Sequence, residues 1–347
     1  MPTLRQRLSA LVGGAGNIVR ALGATWQWTP RLRGPQTVLV TGASVGVGLE
    51  VARILIARTP HRLILTARAG SMDRFTEAGI EASDRVRLRP MDVTVAHQRN
   101  AVVAEAEADW GGVDILVNNA GISVRSVVEH VSEDERLRQM EVNFLAPMAL
   151  TRRVLPGMRA KRAGRIINVS SVGGMSAMPT MAVYSASKFA LEGASEALWY
   201  EVRPWGVRVS LVQPGFINSD GFKKVRFSDQ GQRSLAHPAD PYHRHYENME
   251  QMVERLMTLT WSTSRTVAET IVRTMHRSHP PLRVAGTIDA RLFDLGRRLL
   301  PRRIYHMALY TGLPRVWSWG PRREEEPDDA VVARQPDRTV RSSRATP

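Results

Sequence analysis

The chain has 347 residues, 43% hydrophobic and 23% charged, with 48 basic residues against 33 acidic ones and no cysteine. That length buries a large single core, no apolar run approaches the roughly 18–20 residues of a membrane-spanning helix, and the missing cysteines exclude a disulfide framework, a thiolate metal site and a thiol nucleophile. The +15 charge gathers at the ends: residues 1–34 carry five arginines and no acid, and 283–347 carry thirteen arginines against eight acids. Basic surfaces attract nucleic acid and anionic lipid alike, so charge alone names no partner.

In chain order, residues 1–34 form a basic amphipathic extension. Leu4, Leu8, Leu11, Val12, Ile18 and Leu22 make a rough apolar stripe ahead of Trp26 and Trp28, without the continuous block of a cleavable secretory signal. The stripe fits a membrane interface or equally a helix on the protein's own core or a partner subunit, because Gly13, Gly14, Gly16 and Gly23 weaken an isolated helix. Residues 35–282 read as one domain. β-Branched runs at 37–41, 63–66, 86–88, 113–117, 165–169 and 207–212 alternate with helical spacing at 47–58, 97–109, 133–159 and 181–203. This alternation predicts an α/β fold, a Rossmann-type doubly wound parallel sheet with ligands at the carboxyl ends of its strands. The segment at about 216–262 reads as a long, irregular lid; His237, His243 and His245 fall in it without helical register, as solvated loop residues and not a metal site. Residues 283–320 form a second basic amphipathic extension, and 321–347 are polar and Pro-punctuated, the composition of a disordered tail.

The first predicted strand runs into TGASVGVGLE. Glycines at 42, 46 and 48 suit a tight turn, close backbone approach to a diphosphate and close helix–strand packing, and the helix that follows offers free N–H groups to phosphates. An acid some twenty residues on would hold the ribose 2′-hydroxyl of NAD, but 51–72 contain none. Arg68 stands there instead, and a guanidinium pairs with a 2′-phosphate. NADP(H) is the favoured cofactor, with NAD(H) the alternative.

In MAVYSASKFALEG, Tyr184 and Lys188 share a helix face. A phenol pKa near 10 is too high for proton transfer at neutral pH, and a nearby ammonium lowers it. The small, uncharged neighbours preserve that effect, no acid following until Glu192. Ser170 and Ser171 end the strand RIINV, where a hydroxyl can hold a carbonyl oxygen as an oxyanion-hole donor does.

Together with Asp92 in RPMDVT, NNAG at 118–121, Asn143 in EVNFLAP and QPGFINS at 213–219, these motifs resemble the short-chain dehydrogenase/reductase family in order and spacing from residue 37 to about 280. The resemblance implies hydride transfer between a nicotinamide and a carbonyl or secondary alcohol. It implies Tyr184 as general acid, Lys188 as its tuning cation and ribose contact, Ser171 orienting the carbonyl, and Asn143 holding a proton-relaying water. It implies cofactor contacts from Gly42, Ser44, Val45, Gly46, Val47 and Gly48, from Asp92 and Val93 at the adenine, from Asn119, Ala120 and Gly121, and from Pro214, Gly215, Ile217 and Ser219 over the nicotinamide. Many NADP-using members carry a basic residue where Val45 stands, which leaves Arg68 as the main phosphate contact. The family also implies a homodimer or homotetramer packed partly through the Tyr184 helix.

Met175, Met178 and Met181 suggest an adaptable apolar wall and, with the basic amphipathic ends, a lipid-, steroid- or long-chain-like substrate. The expected location is the cytoplasm, peripheral at the inner membrane surface through the basic termini. A non-catalytic cofactor-binding regulator would not need the full Ser/Tyr/Lys/Asn set. Nucleic acid is not an expected partner, since the terminal arginines interleave with aliphatic stripes and no binding motif is present.

Overall fold

Short runs of Val, Ile and Leu, apolar without alternation, must be covered on both faces, and only a parallel sheet with helices on each side does this. The computed structural model, which describes residues 34–218 and 226–320, has this architecture. Its strands are β1 (Thr37–Val40), β2 (Arg62–Ala67), β3 (Val86–Pro90), β4 (Ile115–Asn118), β5 (Gly164–Val169), β6 (Val207–Gln213) and β7 (Arg283–Ala285). They form one sheet in the order β3-β2-β1-β4-β5-β6-β7, every adjacent pair parallel.

The helices are α1 (Gly46–Arg58), α2 (Asp73–Glu77), α3 (Ala96–Trp110), α4 (Glu133–Met140), α5 (Ala146–Lys161), α6 (Ala182–Val202), α7 (Asp229–Ala236), α8 (His243–Leu259), α9 (Ser264–His276), α10 (Ile288–Leu299) and α11 (Arg302–Thr311). Successive strand residues serve opposite faces. Val38, Val40, Leu63 and Val117 meet Val51 and Leu55 of α1 and Val267 and Ile271 of α9. Leu39, Ile64, Leu116 and Ile166 meet Val103 of α3, Leu150 and Val154 of α5 and Leu198 of α6. Strand order reverses between β1 and β4, so the carboxyl ends of these two strands open the crevice where such sheets bind ligands.

Three elements differ from the sequence expectation. The sheet runs past residue 282, because Leu211–Gln213 of β6 pair with Arg283–Ala285. Within that expected lid, residues 226–262 are not irregular: they fold into α7, whose cap is the Ser228 hydroxyl accepting from Gly231 N, and α8. His243 and His245 therefore lie in a helix, and the His245 ring packs on Trp319 with centroids 4.8 Å apart. No metal-holding cluster occurs among the described residues. Val316 and Trp319, beyond α11, pack on Met249 and Val253 of α8, so the C-terminal segment braces the lid. The expectations for 1–33, Ser219 and 321–347 fall outside the described residues.

A buried polar chain ties the sheet to α6: Asn118 Nδ2 donates to Asn168 Oδ1, and Asn168 Nδ2 to Ser195 Oγ, each at 2.8 Å. Asn168→Ala strands both partners in the core and should cost about 2 kcal/mol. A urea midpoint that falls with an unchanged m-value is the expected result; an unmoved midpoint contradicts it.

Candidate active site

The crevice is built on a close approach. Gly42 and Gly46 adopt φ of +63° and +56°, conformations that an L side chain resists. At Gly48 a Cβ would run into the Gly42 carbonyl oxygen and Asn119 Nδ2. That amide donates to the carbonyls of Thr41 and Gly42, both at 3.0 Å. Thr41 Oγ1 in turn accepts from the main-chain N of Asn119 and of Ala120, each at 3.0 Å. The loop is thus sewn to β4, and the first turn of α1 faces the crevice with no acid in it.

Ser44 is buried and Val45 is 47% exposed at the helix entry. Val47 and Val93 pack into the two core clusters, so their side chains face inward and only their main chain is left for a ligand. Arg68 is exposed just after β2, with no acid paired to it among the described residues. Asp92 Oδ1 accepts from Thr94 N at 2.9 Å and Thr94 Oγ1 at 2.7 Å, while Oδ2 accepts from Arg138 at 3.2 Å. Burial pushes this carboxyl up, but the Thr94 bonds and Arg138 outweigh it and hold it below the usual range. A turn without room for a Cβ, open N–H groups and a free guanidinium after β2 fit a dinucleotide carrying a 2′-phosphate.

Across the crevice, α6 carries Tyr184 and Lys188, and the end of β5 presents Ser171. The Ser171 hydroxyl accepts from Gly173 N at 3.0 Å and hydrogen-bonds to the Tyr184 phenol. A Cβ on Gly173 would stand 3.1 Å from the tyrosine ring, so glycine there lets the ring lie flat on the turn. Lys188 Nζ donates to Val169 O at 3.0 Å and lies 5.9 Å from the Tyr184 ring centroid. Asn143 sits in the π-helical turn Glu141–Leu145 between α4 and α5, a bulge that aims a side chain off the regular helical path. Its Nδ2 donates to Ile122 O at 2.8 Å and Ser187 Oγ at 3.0 Å, and its Oδ1 accepts from Ile122 N at 2.9 Å. A Cβ on Gly121 would lie 3.3 Å from Asn143 Oδ1 and 3.7 Å from Lys188 Nζ. The fold thus brings Gly121, Asn143, Ser171, Tyr184 and Lys188 together.

The electrostatics differ from the sequence expectation. Burial raises the Tyr184 phenol; the bond from Ser171 and the charge of Arg125 work against that rise. Burial also brings the Lys188 ammonium from its usual 10.5 down to about 8, opposed by the negative charge of Glu192. Glu192 is buried one turn beyond the lysine, where it accepts from Ser170 Oγ at 2.7 Å, Gln213 Nε2 at 2.8 Å and Arg283 Nε at 3.3 Å. The surroundings of Lys188 are therefore not free of acid, and Ser170 faces Glu192, not the crevice.

The 214–217 stretch is pinned from both sides. Pro214 O accepts from Val172 N at 2.7 Å. Gly215 N donates to Thr287 Oγ1 and Phe216 N to Asp289 Oδ2, both at 2.8 Å. A Cβ at Gly215 would run into the Asp289 carboxylate, and Ile217 is buried. Sequence reasoning missed Thr287 and Asp289, which lie beyond the expected domain end, and Arg125. The visible signal for Arg125 was one basic residue in the apolar run that follows NNAG.

The short chain dehydrogenase family model matches residues 36–230. A 3-ketodihydrosphingosine reductase of Bacteroides thetaiotaomicron is 35% identical over 276 residues, 79% of this chain and 97% of that protein. The structure of a short-chain dehydrogenase from Streptomyces avermitilis is 32% identical with a TM-score of 0.66, covering 76% of this chain and 93% of its own. A closed serine dehydrogenase complexed with NADP+ is 26% identical with a TM-score of 0.60, covering 72% and 93%. The chain belongs to the short-chain dehydrogenase/reductase family. It is an oxidoreductase that acts on CH–OH and C=O groups with a nicotinamide dinucleotide.

Side-chain NMR of lysine-labelled protein should give Lys188 a midpoint near 8. Glu192→Gln removes a charge that favours the ammonium, so the midpoint should fall further. A midpoint above 10, or a rise in the variant, would contradict this account of the site.

Proposed function

We propose that the chain is an NADPH-dependent reductase of a lipophilic carbonyl compound, of the lipid-, steroid- or long-chain-like class. The convergence of Ser171, Tyr184, Lys188 and Asn143 beside a diphosphate-binding turn carries this reading. Arg68, exposed where an NAD site would have an acid, supports the 2′-phosphate. The NADP+ bound by the serine dehydrogenase and the name of the Bacteroides reductase agree with it.

When bound, the dinucleotide supplies the hydride; the protein orients the substrate and manages its proton. The Gly42–Gly48 turn and the N-terminus of α1 hold the diphosphate, Arg68 the 2′-phosphate, and Lys188 the nicotinamide ribose. Asn119, Ala120 and Gly121 line the dinucleotide. Pro214, Gly215 and Ile217 would border the nicotinamide. Ser171 donates to the carbonyl oxygen, and Tyr184 delivers the proton to it. Asn143 spends both N–H groups and one oxygen lone pair on Ile122 and Ser187, leaving one lone pair for a water that passes protons to Lys188. Met175 and Met181, both buried, and half-buried Met178 offer the acyl chain an apolar wall.

Arg68→Ala should raise the NADPH dissociation constant about 10–100-fold, the worth of a charge-assisted phosphate contact, and leave NADH binding within about twofold. Equal losses for both cofactors would remove the role of Arg68. In the same fluorescence titration Tyr184→Phe should bind NADPH normally while turning over no long-chain 3-oxo probe. Surviving turnover would remove the proposed acid.

The exposed face of the C-terminal helices favours a second element, docking on an anionic membrane surface at the cytoplasmic side. Ile288, Leu292, Leu295 and Leu299 follow one face of α10, and Ile304, Met307 and Tyr310 continue on α11, all more than half exposed. Arg291, Arg297, Arg298, Arg302 and Arg303 flank them, the composition of an interfacial helix. No described helix is long and apolar enough to cross a membrane. On α6, Phe189 and Tyr200 stand exposed at 41% and 63%, a surface suited to a homodimer or homotetramer contact. Leu292→Glu with Leu299→Glu should weaken co-sedimentation with phosphatidylglycerol vesicles about tenfold or more. Undiminished sedimentation, or retention on DNA and not on vesicles, would exclude the membrane face.

A further inference from the structure

The peptide unit between Pro214 and Gly215 is held at both ends. Its carbonyl oxygen accepts from Val172 N at 2.7 Å, in the turn that follows Ser171, and its N–H donates to Thr287 Oγ1 at 2.8 Å. The next N–H, that of Phe216, donates to Asp289 Oδ2 at 2.8 Å. A planar unit with partners on opposite edges has little freedom to tip. The orientation of this stretch, and its distance from the serine turn, are therefore set by two side chains seventy-two and seventy-three residues further along the chain. On the lid side Thr260 Oγ1 reaches Phe216 O at 3.3 Å and Asn218 N donates to Ser262 O at 2.8 Å. The N–H groups of Gly215 and Phe216 thus depend, among the described residues, on Thr287 and Asp289.

The sheet places these two residues. β6 and β7 pair as far as Gln213 and Ala285, and Gly286 N continues the register by donating to Gln213 O at 2.8 Å. A Cβ on Gly286 would stand 3.2 Å from Pro214 N and Cα, so the two chains run in contact. Thr287 follows, 4% exposed, and its hydroxyl oxygen also caps α10 by accepting from Ala290 N at 3.4 Å. Asp289 lies in the first turn of α10 with its carboxylate directly over Gly215, where a Cβ would overlap it. Its other oxygen, Oδ1, is buried without a hydrogen-bond partner among the described residues. A carboxylate oxygen in that state costs stability, and a neutral acceptor would satisfy Phe216 N without the cost. The acid is thus a poor choice for holding the fold and a good one for fixing a main-chain N–H, since a bond to an ionised acceptor is about twice as strong as a neutral one. Local rules broken in this way mark functional positions.

We propose that Thr287 and Asp289 are positioning residues of the reaction: by fixing the main chain at Gly215 and Phe216 they set the wall that holds the nicotinamide at a constant distance from the Ser171 turn. This rests on the reading of 214–217 as the nicotinamide border, and both residues lie beyond the segment that the family model matches. Calorimetric titration of the full chain with NADPH and with adenosine 2′,5′-bisphosphate separates the two ends of the cofactor site, because the bisphosphate keeps the adenine and the 2′-phosphate and lacks the nicotinamide. Asp289→Ala should weaken NADPH about tenfold or more, the worth of a charge-assisted bond, and leave the bisphosphate within about twofold. Thr287→Val should act in the same direction. Asp289→Asn and Thr287→Ser, which keep an acceptor oxygen, should restore most of the loss. If Asp289→Ala does not fold, Thr287→Val against Thr287→Ser gives the same reading. Equal losses for both ligands would make the pair structural and overturn the proposal. Gly215→Ala, whose Cβ displaces the loop itself, tells the other failures apart. If it weakens NADPH selectively while Asp289→Ala and Thr287→Val do not, the proposal falls and the nicotinamide border stands; if none of the three does, both fall.

Discussion

The Asn119 amide, bridging the carbonyls of Thr41 and Gly42, is the contact on which the rest of the site depends. β1 and β4 are neighbours in the sheet whose connections leave on opposite sides, so the crevice between their ends tends to open. One amide closes it, and it fits only because Gly48 has no side chain. With that distance set, the first turn of α1 faces the crevice on one side and the NNAG loop lines the other. That loop carries Gly121 against Asn143 and Lys188, then continues to Arg125. Cofactor turn and proton-transfer groups are thus held in register through a single stretch of main chain.

The charges around the tyrosine follow from the burial that this packing imposes. A buried lysine loses affinity for its proton and a buried carboxyl gains it, and Lys188 and Glu192 move in these directions. The carboxylate keeps the ammonium charged longer than burial alone would allow, and hydrogen bonds from Gln213 and Ser170 with the charge of Arg283 oppose the rise of the carboxyl. The result is a lysine whose ammonium titrates closer to neutral pH than a free one.

Local patterns made the sheet, the glycine turn, Ser171 and the Tyr184/Lys188 pair legible in the sequence, and the family resemblance added Asn143. The strand runs are short, apolar and β-branched, the turn is marked by its glycines, and the Tyr/Lys pair is spaced by helix geometry. What the sequence did not show depends on contacts between segments far apart. β7 is three residues long, too short for a periodic signal, and exists because β6 offers it an edge. Asp289 reads as an ordinary surface acid until α10 turns it onto Phe216 N. Glu192 was visible one turn from Lys188, but its burial depends on Arg283, ninety-one residues away. The lid looked irregular because its apolar positions are few; α8 is stable where Met249 and Val253 meet Val316 and Trp319.

That last contact makes the C-terminal segment part of the site. Tyr305 donates to Ser176 Oγ at 2.9 Å, five residues past Ser171. Thr287 and Asp289 fasten the main chain at Gly215 and Phe216. Arg244 of α8 donates to Ser318 O at 2.9 Å. The same stretch of chain therefore touches the turn after Ser171, the 214–217 loop and α8, while its other face shows leucines and arginines to the surroundings. A shift of that segment would reach Ser176, Gly215 and Phe216 through hydrogen bonds of 2.8–2.9 Å without passing through the sheet.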